Sequence, residues 1–176
     1  MTFPILETKR LILKNVSNED TLALYSILSQ KEVTHFYGML PLKSVKQASQ
    51  VIESMNRSYN EKRGIRWGIH FKDKEQLIGT IGLNLLSYPN RKTEIGYELH
   101  PEHWRKGIIT EAANAVISYC FDELQLLRIG AVTYENNKAS QSLLTNLGFQ
   151  FEGKLANYFY VGETSANAHL YAKIKK

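Results

Sequence analysis

The chain has 176 residues, 43% of them hydrophobic and 22% charged, which excludes a disordered polypeptide and suits one globular domain with a substantial core. Its net charge of +5 favours anionic partners such as a nucleotide-like cofactor, a ribosomal environment or nucleic acid. Lys and Arg are scattered rather than run together, so the charge serves solubility equally well and decides nothing alone. A single cysteine, Cys120, cannot form an internal disulfide and fits a reducing cytoplasm. Residues 1–10 carry charges too early for a secretory segment, and no apolar run approaches the length of a bilayer span.

In chain order, Arg10–Val16 reads as a first strand, and Ser17 or Asn18 can cap a helix through Leu22, Leu24 and Leu28. A second helix is expected from Ser44 through Val51, Ile52, Met55 and Tyr59, ending before Arg63-Gly64. Strands follow at Trp67–Phe71, Leu77–Leu86 and Thr93–Leu99, parted by Lys72-Asp73-Lys74 and Pro89-Asn90. From Thr110 the period becomes helical, with Ala113, Ile117, Phe121 and Leu124 on one stripe and Ala112, Val116 and Cys120 on another. A strand at Arg128–Tyr134, a helix from Lys138 to Leu147 stopped by Gly148, and closing strands at Phe149–Tyr160 and Ala166–Ile174 complete the pattern. This order predicts a single α/β domain, residues 1–176, built on a mixed sheet with helices packed against it.

The segment Thr93-Glu94-Ile95-Gly96-Tyr97-Glu98-Leu99 followed by Trp104-Arg105-Lys106-Gly107-Ile108-Ile109-Thr110-Glu111-Ala112 reads as a strand, a basic glycine turn and a helix start. Such a junction gathers unpaired backbone N–H groups, a positive helix end and two cationic side chains, which together attract a phosphate or diphosphate. The turn lacks the order of a P-loop, and the chain contains no Gly-x-Gly-x-x-Gly for a dinucleotide. The bland alternative is a glycine that relieves a tight connection beside solvated Arg105 and Lys106.

A second constellation, Asn137-Lys138-Ala139-Ser140 with Leu147-Gly148-Phe149 and Glu152-Gly153, follows a strand. Together with Arg10-Leu11-Ile12-Leu13 and His169-Leu170-Tyr171-Ala172, these segments resemble the GNAT superfamily of acyl-CoA-dependent N-acyltransferases, in particular its RimJ/RimL-like ribosomal-protein branch. The resemblance spans essentially the whole chain. It implies a splayed, mostly antiparallel sheet of about seven strands with helices on both faces. It also implies acetyl-CoA as co-substrate, the diphosphate lying on Arg105, Lys106, Gly107, Ile108, Ile109 and Thr110, and Leu99 pairing its backbone with the pantetheine arm. Two positions depart from the pattern: Arg105 stands where glycine is more usual, and Ile109 where a small residue is expected.

Amide formation from a thioester needs a neutral amine and a proton for the leaving thiolate. Ser140 shares a helical stripe with Leu143, Leu144 and Leu147 and is expected to face inward, and in the resembled branch a serine at this place lies near the sulfur. Many family members use a tyrosine one turn on, where this chain has Leu144. Ser140 is therefore the expected proton donor, although satisfying the first turn of its helix is an alternative part for it. Asn137 is expected to hold the cofactor arm, to cap the helix, or both. Glu94 and Glu98 project from one face of their strand, and Glu94 stands where the family often carries a carboxylate near the acceptor, so it is the expected base; solvated or ion-paired glutamates are the alternative. The acid that some RimL-like proteins carry after Glu-Gly is missing from Ala156-Asn157-Tyr158-Phe159, which favours an easily deprotonated acceptor.

His100 and His103 lack further ligands, and no metal site is expected; Cys120 reads as packing. Tyr158-Phe159-Tyr160 reads as a strand lining a cleft rather than a stacking platform, so neither nucleic acid nor membrane is an expected partner. The leading expectation is an acetyl-CoA-dependent enzyme acting by direct attack on a protein N-terminal amine, ribosomal by resemblance, in the cytoplasm. The alternatives are a small-amine acetyltransferase (polyamine, aminoglycoside or aryl amine) and a non-catalytic acyl-CoA sensor. The oligomeric state, a homodimer included, is left open.

Overall fold

A computed structural model describes residues 2–176. Among these residues eight strands form one sheet in the order β1-β2-β3-β4-β5-β6-β8-β7. They are β1 (Leu6–Glu7), β2 (Leu11–Asn15), β3 (Ile65–Phe71), β4 (Leu77–Ser87), β5 (Lys92–Leu99), β6 (Arg128–Tyr134), β7 (Gln150–Val161) and β8 (Thr164–Ile174). The helices are α1 (Thr21–Leu28), α2 (Lys31–Thr34), α3 (Val45–Asn60), α4 (Ile108–Ser118) and α5 (Lys138–Asn146). All neighbouring strands are antiparallel except β5 and β6, which run parallel. The expected mixed sheet is thus present, with eight strands where about seven were anticipated; the extra one, β1, is a two-residue piece pairing Leu6 with Leu13.

Local chemistry sets the helix starts. Ser17 opens the first helical segment through a capping box: its hydroxyl accepts the Glu19 N–H at 3.3 Å, and Asp20 accepts the Ser17 N–H at 2.8 Å. Ser44 caps α3 on the Gln47 N–H, and Asn137 caps α5 on the Ser140 N–H. The stripe expected to begin at Thr110 begins at Ile108, and its continuation past Ser118 is a π-helical segment, Tyr119–Glu123, rather than plain α-helix. Cys120 is fully buried in that segment, as its apolar stripe implied.

Strand alternation divides the core between the two faces of the sheet. On one face, Val16 and Leu77 pack with Leu24, Ile27 and Leu28 of α1 and Ile52 of α3. On the other, Trp67, Ile69, Ile81, Leu83, Ile95 and Leu99 meet Ala112, Ala113, Val116 and Ile117 of α4 and Leu144 of α5. Each large aliphatic or aromatic side chain so buried contributes about 1.5–3 kcal/mol.

Candidate active site

The sheet comes apart between its two parallel strands. β5 and β6 pair only at Lys92↔Arg128, Thr93↔Ile129 and Glu94↔Gly130, after which they diverge. The outer neighbours hold on: β4 follows β5 to Leu99, and β8 follows β6 to Tyr134. The His100 N–H bonds to the Ile78 carbonyl, which fixes the phase of the β4–β5 ladder. Alternate residues of an antiparallel strand turn their polar groups to opposite sides, so Tyr97 and Leu99 direct theirs into the gap. The cleft is therefore an open strand edge inside a sheet.

At its mouth lies the glycine turn. Arg105 and Gly107 adopt left-handed backbone at φ 59° and 71°, which swings the chain into α4. Among the described residues no side chain caps this helix. The Glu111 N–H already bonds back to Gly107, but among the described residues no acceptor meets the N–H groups of Ile108, Ile109 or Thr110. Arg105 and Lys106 are exposed, while Ile108 is buried and anchors the helix end. The sequence offered Arg10 as the start of a strand and of a family-like segment; the structure makes it the clamp of this turn. Its guanidinium donates to the Lys106 carbonyl at 3.1 Å and to Glu111 Oε2 at 2.7 Å. Glu111 Oε1 also accepts from the Thr8 hydroxyl and the Arg10 N–H. These partners sit about a hundred residues apart, beyond any local pattern.

Leu99 lies where the turn meets the cleft. Its carbonyl accepts the Trp104 indole N–H at 2.8 Å, leaving the Leu99 N–H and one lone pair of its carbonyl to a ligand. On the α4–α5 side of the cleft, the Tyr97 and Ser140 hydroxyls meet at 2.7 Å. Burial pushes the Tyr97 phenol up to about 12 against the opposing Ser140 hydrogen bond, so it stays protonated at neutral pH. Ser140 thus faces inward, as its stripe implied, and Asn137 does cap the helix, its Oδ1 accepting the Ser140 N–H at 3.2 Å. Tyr97 was missed as a partner because the pair is separated by forty-three positions.

The opposite face of β5 carries Glu94 and Glu98, as alternation required, and the two differ sharply. Glu94 marks the closed end of the cleft, half-buried beside Gly130; burial raises its carboxyl against the pull of Lys92 and Arg128. Glu98, for which an ion pair was the alternative to a part beside the acceptor, is buried and held by Thr80, Arg66 and Tyr37. Along the strand Glu94 lies about 10 Å from Tyr97, while Glu98 is its neighbour. Among the described residues no group of His, Cys, Asp and Glu is arranged to hold a metal, and no helix is long and apolar enough to cross a membrane.

Comparison with known proteins agrees with this architecture. Residues 10–150 match the family described as the acetyltransferase (GNAT) domain. A Bacillus subtilis protein, the uncharacterized N-acetyltransferase YoaA, is 46% identical over 173 residues, 98% of either chain. The Escherichia coli ribosomal-protein-serine acetyltransferase is 33% identical over 104 residues, 59% of this chain and 58% of its own. Among solved structures, RimL, the ribosomal L7/L12 α-N-protein acetyltransferase in complex with coenzyme A, superposes with a TM-score of 0.86 at 17% identity, covering 97% of this chain and 98% of its own. A sheet split between its parallel strands, a capless helix start at its mouth and these sequence matches lead to one assignment: the chain belongs to the GNAT superfamily and is an N-acetyltransferase with a RimJ/RimL-like fold.

Proposed function

We propose that this enzyme transfers an acetyl group from acetyl-CoA to a primary amine, a protein N-terminal α-amine foremost, by direct attack within a ternary complex in the cytoplasm. The observation that carries the reading is the gap between β5 and β6, an unpaired strand edge flanked by a donor dyad and ending at a turn of free N–H groups. In this reading the pantetheine amides pair with Tyr97 and Leu99 like a missing strand. The diphosphate takes the N–H groups of Ile108, Ile109 and Thr110, with Gly107 shaping the turn and Arg105 and Lys106 adding charge. Asn137 steadies the arm where α5 begins. Ser140 gives its proton to the departing thiolate, and the Tyr97 hydroxyl at 2.7 Å keeps it oriented. Glu94, at the closed end, is the outlet by which the amine's proton reaches solvent.

An α-amine is favoured because freeing it of its proton at pH 7 costs only about 1 kcal/mol, against roughly 4–5 kcal/mol for a lysine side chain. The likeness to the E. coli ribosomal-protein-serine acetyltransferase supports a ribosomal N-terminus as the acceptor. The test is thiol release from acetyl-CoA with a panel of N-terminal peptides, spermidine and aminoglycosides. The reading expects the highest kcat/KM with an N-terminal peptide. A polyamine or aminoglycoside as the best acceptor would make this a small-amine enzyme, and CoA binding with no thiol release from any amine would make it a sensor.

A further inference from the structure

A cleft of about 670 Å³ opens where β6 ends, between the segment of His35 and Met39 and the outer strands with Tyr134, Asn157 and Asn167. Its wall is tied to the helix turn that carries Ser140: Gln141, the next residue, donates to the Tyr134 and Glu135 carbonyls at 3.1 and 2.9 Å. Ile129 and Ala131 of β6 pack in the core with α4 and α5, so by alternation Tyr134 turns to the opposite side of the sheet. With the coenzyme's diphosphate at the start of α4, this opposite side is the one left open to an acceptor amine. A larger cleft, about 810 Å³ against Lys14, Asp20 and Leu22, includes no residue of β5, β6 or α5.

Apart from Tyr134, the ionisable side chains lining the cleft beside β6 are Lys31, His35 and Glu135, so it holds a single carboxylate. That carboxylate is already taken: Lys154 Nζ donates to Oε1, and Asn167 Nδ2 to Oε2 at 2.9 Å. Lys31, the first residue of α2, is exposed, and among the described residues its ammonium has no ion-pair partner. One uncompensated cation therefore sets the charge of the cleft. Its rim is a row of fixed amides. Between Leu155↔Ala168 and Phe159↔Ala166, β7 residues 156–158 bulge opposite Asn167 alone. Asn167 Oδ1 accepts the Asn157 N–H, and Asn157 Oδ1 accepts the Ser165 hydroxyl, both at 3.0 Å. Asn157 sits at φ 49°, left-handed backbone that asparagine tolerates. Among the described residues the side-chain N–H groups of Asn136 and Asn157 have no acceptor, and amides so placed suit the carbonyls of an extended peptide.

We propose that this cleft selects its acceptor by charge, taking a peptide N-terminus with an acidic side chain among its first residues and disfavouring polycations. The inference rests on the acetyl-transfer reading and narrows its acceptor. The α-amine enters at the Tyr134 end, Asn136 and Asn157 donate to backbone carbonyls, and Lys31 pairs with an aspartate or glutamate further along the peptide. A polyamine meets Lys31 as a like charge and finds both Glu135 oxygens occupied. An exposed charge pair changes an equilibrium by at most about fivefold. Exchanging an acidic for a basic residue replaces attraction with repulsion, so the two peptides should differ by about tenfold.

The test is kcat/KM for thiol release from acetyl-CoA with pentapeptides that share one N-terminal residue and carry aspartate, asparagine or arginine at each later position in turn. Arginine stands for the basic residue because it adds no second acceptor amine. At about 0.05 M salt the wild type should rank aspartate over asparagine over arginine at one or more positions, about tenfold from end to end, and about 1 M salt should flatten the series. The ranking should reside in the peptide KM, with kcat and the KM for acetyl-CoA changed less than about twofold. Lys31→Glu puts an acid in the first turn of α2, which the helix end favours, and should reverse the ranking; Lys31→Gln should level it. A wild type indifferent to peptide charge or preferring arginine, or a Lys31→Glu variant that keeps the wild-type order, overturns the inference while leaving the acetyl-transfer reading intact. Spermidine turned over better than every peptide overturns the inference together with the α-amine preference. A wild type that releases no thiol with any amine overturns the acetyl-transfer reading as well.

Discussion

Replacing Ser140 with alanine removes one hydroxyl whose only side-chain partner among the described residues is Tyr97 at 2.7 Å. The structural cost is one partly buried hydrogen bond, about 1 kcal/mol, because the Asn137 cap engages the Ser140 backbone N–H and survives the change. The catalytic cost is larger. Proton donation by a positioned side chain is worth about 10²–10⁴-fold. Tyr97 stays protonated and close by, so it recovers part of this through a water, and the low end applies: about 100-fold in kcat, or about 2.7 kcal/mol. Steady-state thiol release reads the rate, and calorimetry reads CoA affinity, which should change less than threefold. Tyr97→Phe should cost only about threefold to tenfold, and the double variant should be slower than Ser140→Ala, since it also removes the hydroxyl that recovers part of the rate. A Ser140→Ala rate within threefold of wild type, or a loss residing wholly in CoA binding, would refute the reasoning.

Further outcomes follow from the turn and the core. Gly107→Val forces a β-branched residue to φ 71°, costing about 1–2 kcal/mol, and should weaken acetyl-CoA binding about tenfold. Among the described residues a Cβ there meets only the Arg10 guanidinium, at 3.7 Å, so crowding adds little; unchanged affinity by calorimetry would remove the turn from the binding site. At Glu111, burial works against the charge, but the bonds from the Thr8 hydroxyl and from Arg10 outweigh it and hold the carboxyl below its ordinary value. A folded pKa below the unfolded one means stability present above about pH 4.3 and lost as pH falls through the folded value. Glu111→Gln should therefore lower Tm at pH 7, with the gap from wild type closing below about pH 4; a gap independent of pH would contradict the charge assignment. Burial pushes the Cys120 thiol up to about 12, so the native protein should resist a thiol reagent at pH 8 and titrate one thiol once denatured. Rapid labelling of the native protein would show that the π-helical segment opens.

The long elements were readable because each has a period to read. β5 alternates, β4 is a long run of buried residues, α4 and α5 carry apolar stripes, and Ser17, Ser44 and Asn137 announce helix starts. β1 and α2 were missed because two and four residues hold no period at all. The π-helical segment kept an α-like spacing of apolar residues, so its wider turn left no trace in the pattern. At the site, contiguous motifs pointed to Gly107, Ser140 and Glu94, whereas long-range partners stayed hidden. Arg10 on Lys106, Tyr97 on Ser140 and Tyr37 over Glu98 each join positions that only the folded sheet brings together. Alternation put Glu98 on the right face, but its burial depends on the segment around Tyr37, which carries no periodic signal.

In the proposed mechanism the gap between β5 and β6, with the turn at Gly107, grips the whole coenzyme rather than its thiol arm alone. Calorimetric titration with acetyl-CoA and with acetyl-pantetheine, which lacks the diphosphate and nucleotide, tests it directly. One acetyl-CoA should bind per chain, and acetyl-pantetheine should bind at least about a hundredfold more weakly, equivalent to about 2.7 kcal/mol held by the diphosphate and nucleotide. Equal affinity for the two, or no heat with either, would contradict it.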